Sequence, residues 1–236
     1  GDWSLPLVIP PSAPSSPFSW SPDGKTILFV KVVSAYSGDG QERTIQILNV
    51  ADGKYKALTE RKKFEAYPNF SPDGNKISYW YKKGNINGSV NELWIANATG
   101  GEGKPISEQL NRDIFLSAWM PDNKTFLTGG HNDNKTSMWS MGLDGKNTAI
   151  DLGNISPSWS FWLDATISKN GAIAFTGTET AKPIELYYMA STTSKPVQLT
   201  HFNSEVSKMT FGKTETLRWE NDNWKHSGIV TYPAKY

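Results

Sequence analysis

The sequence predicts an all-β fold assembled from four copies of one four-stranded antiparallel unit, and three observations lead there. The stretch Trp20-Ser21-Pro22-Asp23-Gly24 returns 50 residues later as Phe70-Ser71-Pro72-Asp73-Gly74 and 49 after that as Trp119-Met120-Pro121-Asp122-Asn123. A worn copy, Ile167-Ser168-Lys169-Asn170-Gly171, follows after another 48. Each copy precedes a β-rich run, such as Thr26-Ile27-Leu28-Phe29-Val30 or Lys76-Ile77-Ser78-Tyr79-Trp80. No window sustains a 3.6-residue apolar period, so helix is expected to be nearly absent. A fixed period of this length is the mark of stacked or radial repeats.

Residues 1–16 carry four prolines and read as an extended lead-in from an upstream segment, because proline cannot donate to a sheet ladder. From residue 17 the pattern becomes regular. A short strand reaches Trp20, and the Ser-Pro-Asp-Gly turn reverses it: Pro presets φ, Asp bonds back to the backbone and Gly takes the positive-φ position. A second strand follows over 26–33, then a polar loop through Ser37-Gly38-Asp39-Gly40. The third strand, Thr44-Ile45-Gln46-Ile47-Leu48-Asn49-Val50, alternates with period two; Ala51-Asp52-Gly53-Lys54 turns the chain and Tyr55-Lys56-Ala57-Leu58-Thr59 closes the unit.

The later copies keep both turns in register. Their third strands are Asn91-Glu92-Leu93-Trp94-Ile95-Ala96, Ser137-Met138-Trp139-Ser140-Met141 and Glu185-Leu186-Tyr187-Tyr188-Met189. Their second turns are Thr99-Gly100-Gly101, Leu143-Asp144-Gly145-Lys146 and Ser191-Thr192-Thr193-Ser194. Four strands per unit, repeated in series, describe β-propeller blades, here about 17–59, 67–107, 115–152 and 162–200 within a region 17–203. A β-sandwich with accidentally similar hairpins is the competing architecture. A sialidase-type Asp-box is excluded, since Gly follows Asp directly. Propellers run from four to eight blades, and blades of this size usually close at six or more, so a partial ring is expected. Its open edges would be completed by the rest of a larger protein, by a partner or by self-association.

Composition narrows the function classes. The 236 residues hold 24 Lys plus Arg against 23 Asp plus Glu, which leaves no field to draw nucleic acid or an anionic membrane. The basic cluster Arg61-Lys62-Lys63 reads as a solvated loop between units. With no cysteine, disulfides and thiolate metal sites are excluded. No run of about 18 apolar residues and no charged-then-apolar leader is present, and neither cytoplasm nor an extracytoplasmic compartment is selected. Aromatics make up 12% of the chain. Most lie in or beside the alternating runs, which favours sheet packing over an aromatic ligand platform. Asn87, Asn97, Asn123, Asn134 and Asn154 head Asn-x-Ser/Thr sequons, meaningful only where the source glycosylates.

The tail, 204–236, breaks the pattern. It runs through Glu215-Thr216-Leu217-Arg218-Trp219-Glu220-Asn221-Asp222-Asn223-Trp224 to Gly228-Ile229-Val230-Thr231-Tyr232-Pro233-Ala234-Lys235-Tyr236, after Leu199-Thr200-His201-Phe202-Asn203. With its blades, this chain resembles the propellers of the Tol-system translocation component and of the prolyl oligopeptidase family of serine peptidases. The tail is similar to the segment where such a peptidase leaves its propeller for its α/β-hydrolase domain, in the dipeptidyl- or acylaminoacyl-peptidase branch. Where the family usually has Asp-Gly in the tail turn, this chain has Asp222-Asn223, a pair that also adopts positive φ.

The resemblance implies a propeller that gates and positions peptide substrates for Ser-His-Asp chemistry located downstream. No Gly-x-Ser-x-Gly elbow and no His-Gly-Gly segment occurs in the chain. His131, His201 and His226 sit in polar or turn contexts, and Asp133 in His131-Asn132-Asp133-Asn134 lacks the pattern of a calcium loop. No catalytic, cofactor-binding or metal residue is therefore assigned, no cofactor is expected, and the substrate-binding residues stay open. The chain by itself is not expected to be a catalyst. The second reading is a stand-alone propeller used as a protein-binding module, similar to the Tol-system component, which gives no reason for the tail.

Overall fold

A computed structural model describes residues 18–32, 43–59, 64–86, 88–158, 163–180, 182–202 and 204–234. The expected lead-in, the Ser37–Gly40 loop, the Arg61-Lys62-Lys63 cluster and the sequon residue Asn87 lie outside the described residues. The architecture is nearly all β, and what helix is described amounts to α1 (Ser204–Ser207) and two short 3₁₀ turns.

Four antiparallel sheets follow one another. The first is β1 (Ser19–Trp20), β2 (Thr26–Val32), β3 (Arg43–Asn49) and β4 (Tyr55–Ala57), paired in chain order. The second repeats it with β5 (Ala66–Phe70), β6 (Lys76–Lys82), β7 (Asn91–Asn97) and β8 (Lys104–Pro105). The third holds β9 (Ile114–Trp119), β10 (Thr125–Asn132), β11 (Lys135–Gly142) and β12 (Asn147–Ala149). In the fourth, the first strand comes in two pieces, β13 (Ser156–Pro157) and β14 (Ala165–Ile167), which pair with β15 (Ile173–Glu179), itself followed by β16 (Lys182–Met189) and β17 (Val197–Gln198). A separate hairpin, β18 (Thr214–Asn221) and β19 (Trp224–Thr231), ends the chain.

The recurring turn works as its residues require. Gly24, Gly74, Asn123 and Gly171 all sit at positive φ, between 58° and 84°. Ser21 Oγ donates to Asp23 at 2.6 Å and accepts the amide of Thr26 at 2.9 Å. Ser71 repeats both bonds with Asp73 and Lys76. In the third copy, where Met120 replaces the serine, Thr125 supplies both donors to Asp122 instead. Neighbouring turns also touch: the Asp73 amide donates to Asn123 Oδ1 at 2.8 Å, and Phe70 donates its amide to Ser19 Oγ at 3.2 Å.

The core lies between sheets rather than inside one. Leu28 and Ile45 meet Ile77 and Tyr79 between the first and second sheets. Trp80 and Leu93 meet Ile114 and Phe126 between the second and third. Leu127 and Met138 meet Phe175 and Tyr187 between the third and fourth. Full burial of each such side chain stabilises by about 1.5–3 kcal/mol. Strands β6, β7 and β10 are buried along almost their whole length because sheets cover both of their faces. On the outer sheets the alternation survives: Ile184 and Tyr188 on β16 and Trp20 and Tyr55 on the first sheet remain exposed. The four sheets therefore form an arc with an apolar face at either end.

Polar groups at the starts of the first strands clip one sheet to the next. Glu65, wholly buried, accepts the Ile45 amide at 2.8 Å and the Thr59 hydroxyl at 2.7 Å. Asp113 accepts the Asn91 amide at 2.6 Å, and Ser156 accepts that of Thr136 at 3.3 Å. In each case an acceptor just ahead of one sheet's first strand, or for Ser156 at its first residue, takes an amide of the third strand of the sheet before it. Among the described residues no helix is long and apolar enough to cross a membrane.

Candidate functional site

First strands are the common edge on which the sheets converge, and each of three successive ones loses its register at the same level. In β5, Ala66 pairs with Trp80 and Asn69 with Ser78, so Tyr67 and Pro68 together oppose one residue of β6. In β9, Leu116 pairs with Gly129 and Ile114 with Gly130, which leaves Phe115 as the extra residue. In the fourth sheet Pro157 pairs with Gly177 and Ala165 with Phe175, which divides the first strand into β13 and β14. A β-bulge bends its strand and re-aims the side chain it carries.

The irregularities enclose one cleft. Tyr67, Phe115 and Asp164 line it, with Trp80, Trp119 and Ser117 behind them, around a volume of about 260 Å³. Tyr67 holds φ of +52°, a left-handed conformation in which an aromatic residue is strained at roughly 1–3 kcal/mol. That backbone sets its ring on Trp80, 4.3 Å between centroids, while Asn69 Nδ2 donates to the Tyr67 carbonyl at 3.2 Å. The Trp80 indole N–H donates to Ser117 Oγ at 2.7 Å and fixes the floor. Trp119 packs on Phe126 at 4.0 Å, and Phe115 meets the His131 ring edge-on at 4.8 Å. Burial pushes the Tyr67 hydroxyl above its ordinary pKa, against the opposing pull of Arg43, so it stays neutral and able to donate. Among the described residues lining the cleft Asp164 is the one charged side chain, and it is exposed.

Glycines on the second strands make room for this geometry. A methyl on Gly130 would collide with the Asp113 carbonyl oxygen, and one on Gly129 with Leu163. A Cβ at Gly177 would lie 2.6 Å from Ile155. An isolated glycine inside a strand pattern signals a bulge or a close backbone approach. Thr128-Gly129-Gly130-His131 and Thr176-Gly177-Thr178 are therefore the sequence signals of this site, and neither stands out among the repeated turns.

The tail hairpin occupies the other notable position. Its two-residue turn, Asp222-Asn223, has φ of 50° and 64°, as expected of residues replacing Asp-Gly. The face bearing Thr216, Arg218 and Ser227 is turned to the β10–β11 turn. Arg218 donates to Asp133 Oδ2 at 2.5 Å, Ser227 donates to Asp133 Oδ1, and Asn134 donates to Thr216 at 2.5 Å. The Ser227 hydroxyl first, and Arg218 after it, hold the Asp133 carboxyl below its ordinary range. The opposite face presents Leu217, Trp219 and Trp224, all exposed.

The three histidines are kept apart. His131 lies against Phe115, His226 stacks on Trp219 at 5.6 Å, and His201 is exposed beyond the fourth sheet. Asp133 joins Ser227 without an imidazole between them, and it serves the hairpin contact rather than a cation loop. Among the described residues no group of three or more His, Asp or Glu side chains is placed to hold a metal ion.

No protein-family model matches the chain. Over 142 residues it is 28% identical to dipeptidyl-peptidase 5 of Porphyromonas gingivalis, a stretch that covers 58% of this chain and 21% of that protein. The chain thus spans about a fifth of the length of the curated relative it matches. In three dimensions it is similar to an acylaminoacyl peptidase in complex with Z-Gly-Gly-Phe-chloromethyl ketone, with a TM-score of 0.65 at 17% identity over 90% of this chain and 31% of that one. It is likewise similar to TolB from Acinetobacter baumannii, with a TM-score of 0.60 at 15% identity over 93% of this chain and 52% of that one. The fold is that of β-propeller blades, and both likenesses read from the sequence, to peptidases and to the Tol-system propeller, recur among these proteins.

Proposed function

We propose that these blades are the non-catalytic propeller portion of a serine exopeptidase related to prolyl oligopeptidase, gating and positioning peptides for a hydrolase domain that follows them. The observation that carries this reading is the polarity of the tail hairpin. Its polar side is spent on Asp133 and Asn134, while Leu217, Trp219 and Trp224 point away from the blades. A lone two-stranded hairpin is marginal in water, so an apolar face of this kind calls for a further layer against it. A hydrolase domain continuing from β19 supplies that layer, and the end faces of the arc take further blades on the same reading.

The alternative, a protein-binding module similar to TolB, is favoured by a likeness that covers 93% of the chain. It leaves the hairpin's outward tryptophans without a purpose. Hydrolysis of dipeptidyl- and aminoacyl-nitroanilides separates the two. The full-length protein is expected to turn them over through a Gly-x-Ser-x-Gly serine downstream of Tyr236, and the 236-residue chain is not. A full-length protein with no such serine, or turnover by this chain that survives repurification, overturns the proposal.

A further inference from the structure

We propose that the cleft built by the three strand irregularities is a capture site for an extended peptide, taking an aromatic side chain next to a positive charge. The inference rests on the peptide-handling role proposed above and adds the substrate feature that the propeller reads. Three properties of the cleft carry it.

The first is its construction. A single bulge is a common accident of a twisted sheet, but here bulges in β5 and β9 and the break between β13 and β14 fall at one level of three successive sheets. Each turns residues into the same space, and in two of the sheets glycines opposite the break allow it. Strain at Tyr67 is maintained in the process, and backbone strain that persists is characteristic of ligand clamps.

The second is chemistry. Tyr67, Phe115 and Trp119 line the cleft half-buried, and the buried Trp80 beneath Tyr67 is fixed by Ser117. Aromatic pairs favour offset or edge-to-face contact with a further ring. Among the described residues Asp164 brings the one charge of the wall, and no cation is paired with it. The wall is therefore complementary to a ring flanked by a cation.

The third is size. About 260 Å³ lies just under the range of roughly 300–1,000 Å³ typical of small-molecule sites, enough for one large side chain and its flanking backbone. A folded domain does not enter. An unfolded or terminal segment does.

The test is calorimetric titration of the 236-residue chain with short peptides. Acetyl-Gly-Lys-Phe-Gly-amide, its Lys→norleucine and Phe→Ala forms, and Gly-Phe-Gly-amide with a free amino terminus make up the set. The Lys-Phe peptide is expected to bind at least tenfold more tightly than either substituted form. The free-amine peptide decides whether a terminal ammonium serves as well as a lysine. Asp164→Asn, at an exposed position, is expected to abolish the preference for charge and leave the norleucine peptide unaffected. Tyr67→Asn, which suits positive φ but removes the ring, is expected to weaken binding at least tenfold while the far-ultraviolet spectrum and melting curve remain those of a folded chain. Equal binding of the Phe and Ala peptides, an Asp164→Asn chain that still prefers charge, or no saturable binding at millimolar peptide overturns the inference. Because binding is read without catalysis, failure here is distinguishable from failure of the full-length protein to hydrolyse nitroanilides.

Discussion

Asp133 and Arg218 stand 85 residues apart in the chain and 2.5 Å apart in the fold, carboxylate to guanidinium, at the contact between the β10–β11 turn and the tail hairpin. Ser227 donates to the same carboxylate from the facing strand. One exposed aspartate in a left-handed turn conformation thus gathers both strands of the hairpin onto the third sheet.

Asp133→Asn is expected to loosen the hairpin without unfolding the blades. Amide exchange over β18 and β19 should rise several-fold, while the amides of β10 and β11 keep their protection. The pH sign follows from the lowered carboxyl. A depressed pKa contributes stability that is present above the ordinary carboxylate value and is lost as pH falls through the folded one. Hairpin protection in the parent should therefore decline in acid, and in the variant it should be flat there. Unchanged hairpin exchange in the variant counts against the contact.

Gly130→Ala probes the bulge at Phe115. The added methyl meets the Asp113 carbonyl, a backbone atom that cannot swing away. Overpacking of this kind costs about 1–3 kcal/mol, a fall in Tm of roughly 2–12 °C for a chain of this size. Gly24, at φ +70° with open space around its Cβ position, is the control. Gly24→Asn is expected to change Tm by less than about 2 °C, since Asn tolerates that conformation.

Ser71→Ala tests the repeated turn. Its hydroxyl is the largest cause holding the Asp73 carboxyl down to about 2, with the amide of Asn75 second. Removing it should raise the Asp73 pKa toward 3.8, read by carbon-detected titration. The stability that Asp73 contributes is present above about 3.8 and lost as pH falls through about 2 in the parent. In the variant that loss should begin at higher pH. An unmoved Asp73 would remove Ser71 from the turn's electrostatics.

Glu65→Ala tests the clip between the first two sheets. It strands the Ile45 amide and the Thr59 hydroxyl in a buried site. The expected cost is about 2–6 kcal/mol, because each of the two buried donors left without a partner costs about 1–3 kcal/mol. Glu65→Gln keeps an acceptor and should lose less than half as much in urea unfolding. Equal losses for both would mean that the charge, and not the acceptor, holds the sheets.

What could be read from the sequence was whatever local chemistry decides. Ser21, Pro22, Asp23 and Gly24 make their turn with one another, so the turn and its copies were legible, as was positive φ at Asp222-Asn223. Runs such as Lys76-Ile77-Ser78-Tyr79-Trp80 were legible as strands, and their burial on both faces explains why they alternate poorly. The division of the fourth sheet's first strand into β13 and β14 was not legible. The cleft was not legible, because it exists only where three sheets meet. Tyr67 and Phe115 look like ordinary strand aromatics, and other rings, Tyr79, Tyr81 and Trp94 among them, do pack in sheet cores. Only the glycines opposite the bulges carried a trace of it.

The bulges have a bearing on how such a site changes over generations. Each wall of the cleft belongs to a different repeat, so a substitution, slip or duplication in one repeat rewrites one wall and spares the other two. Selectivity can then drift by thirds, with the remaining walls keeping the ligand in place while a new preference is tried.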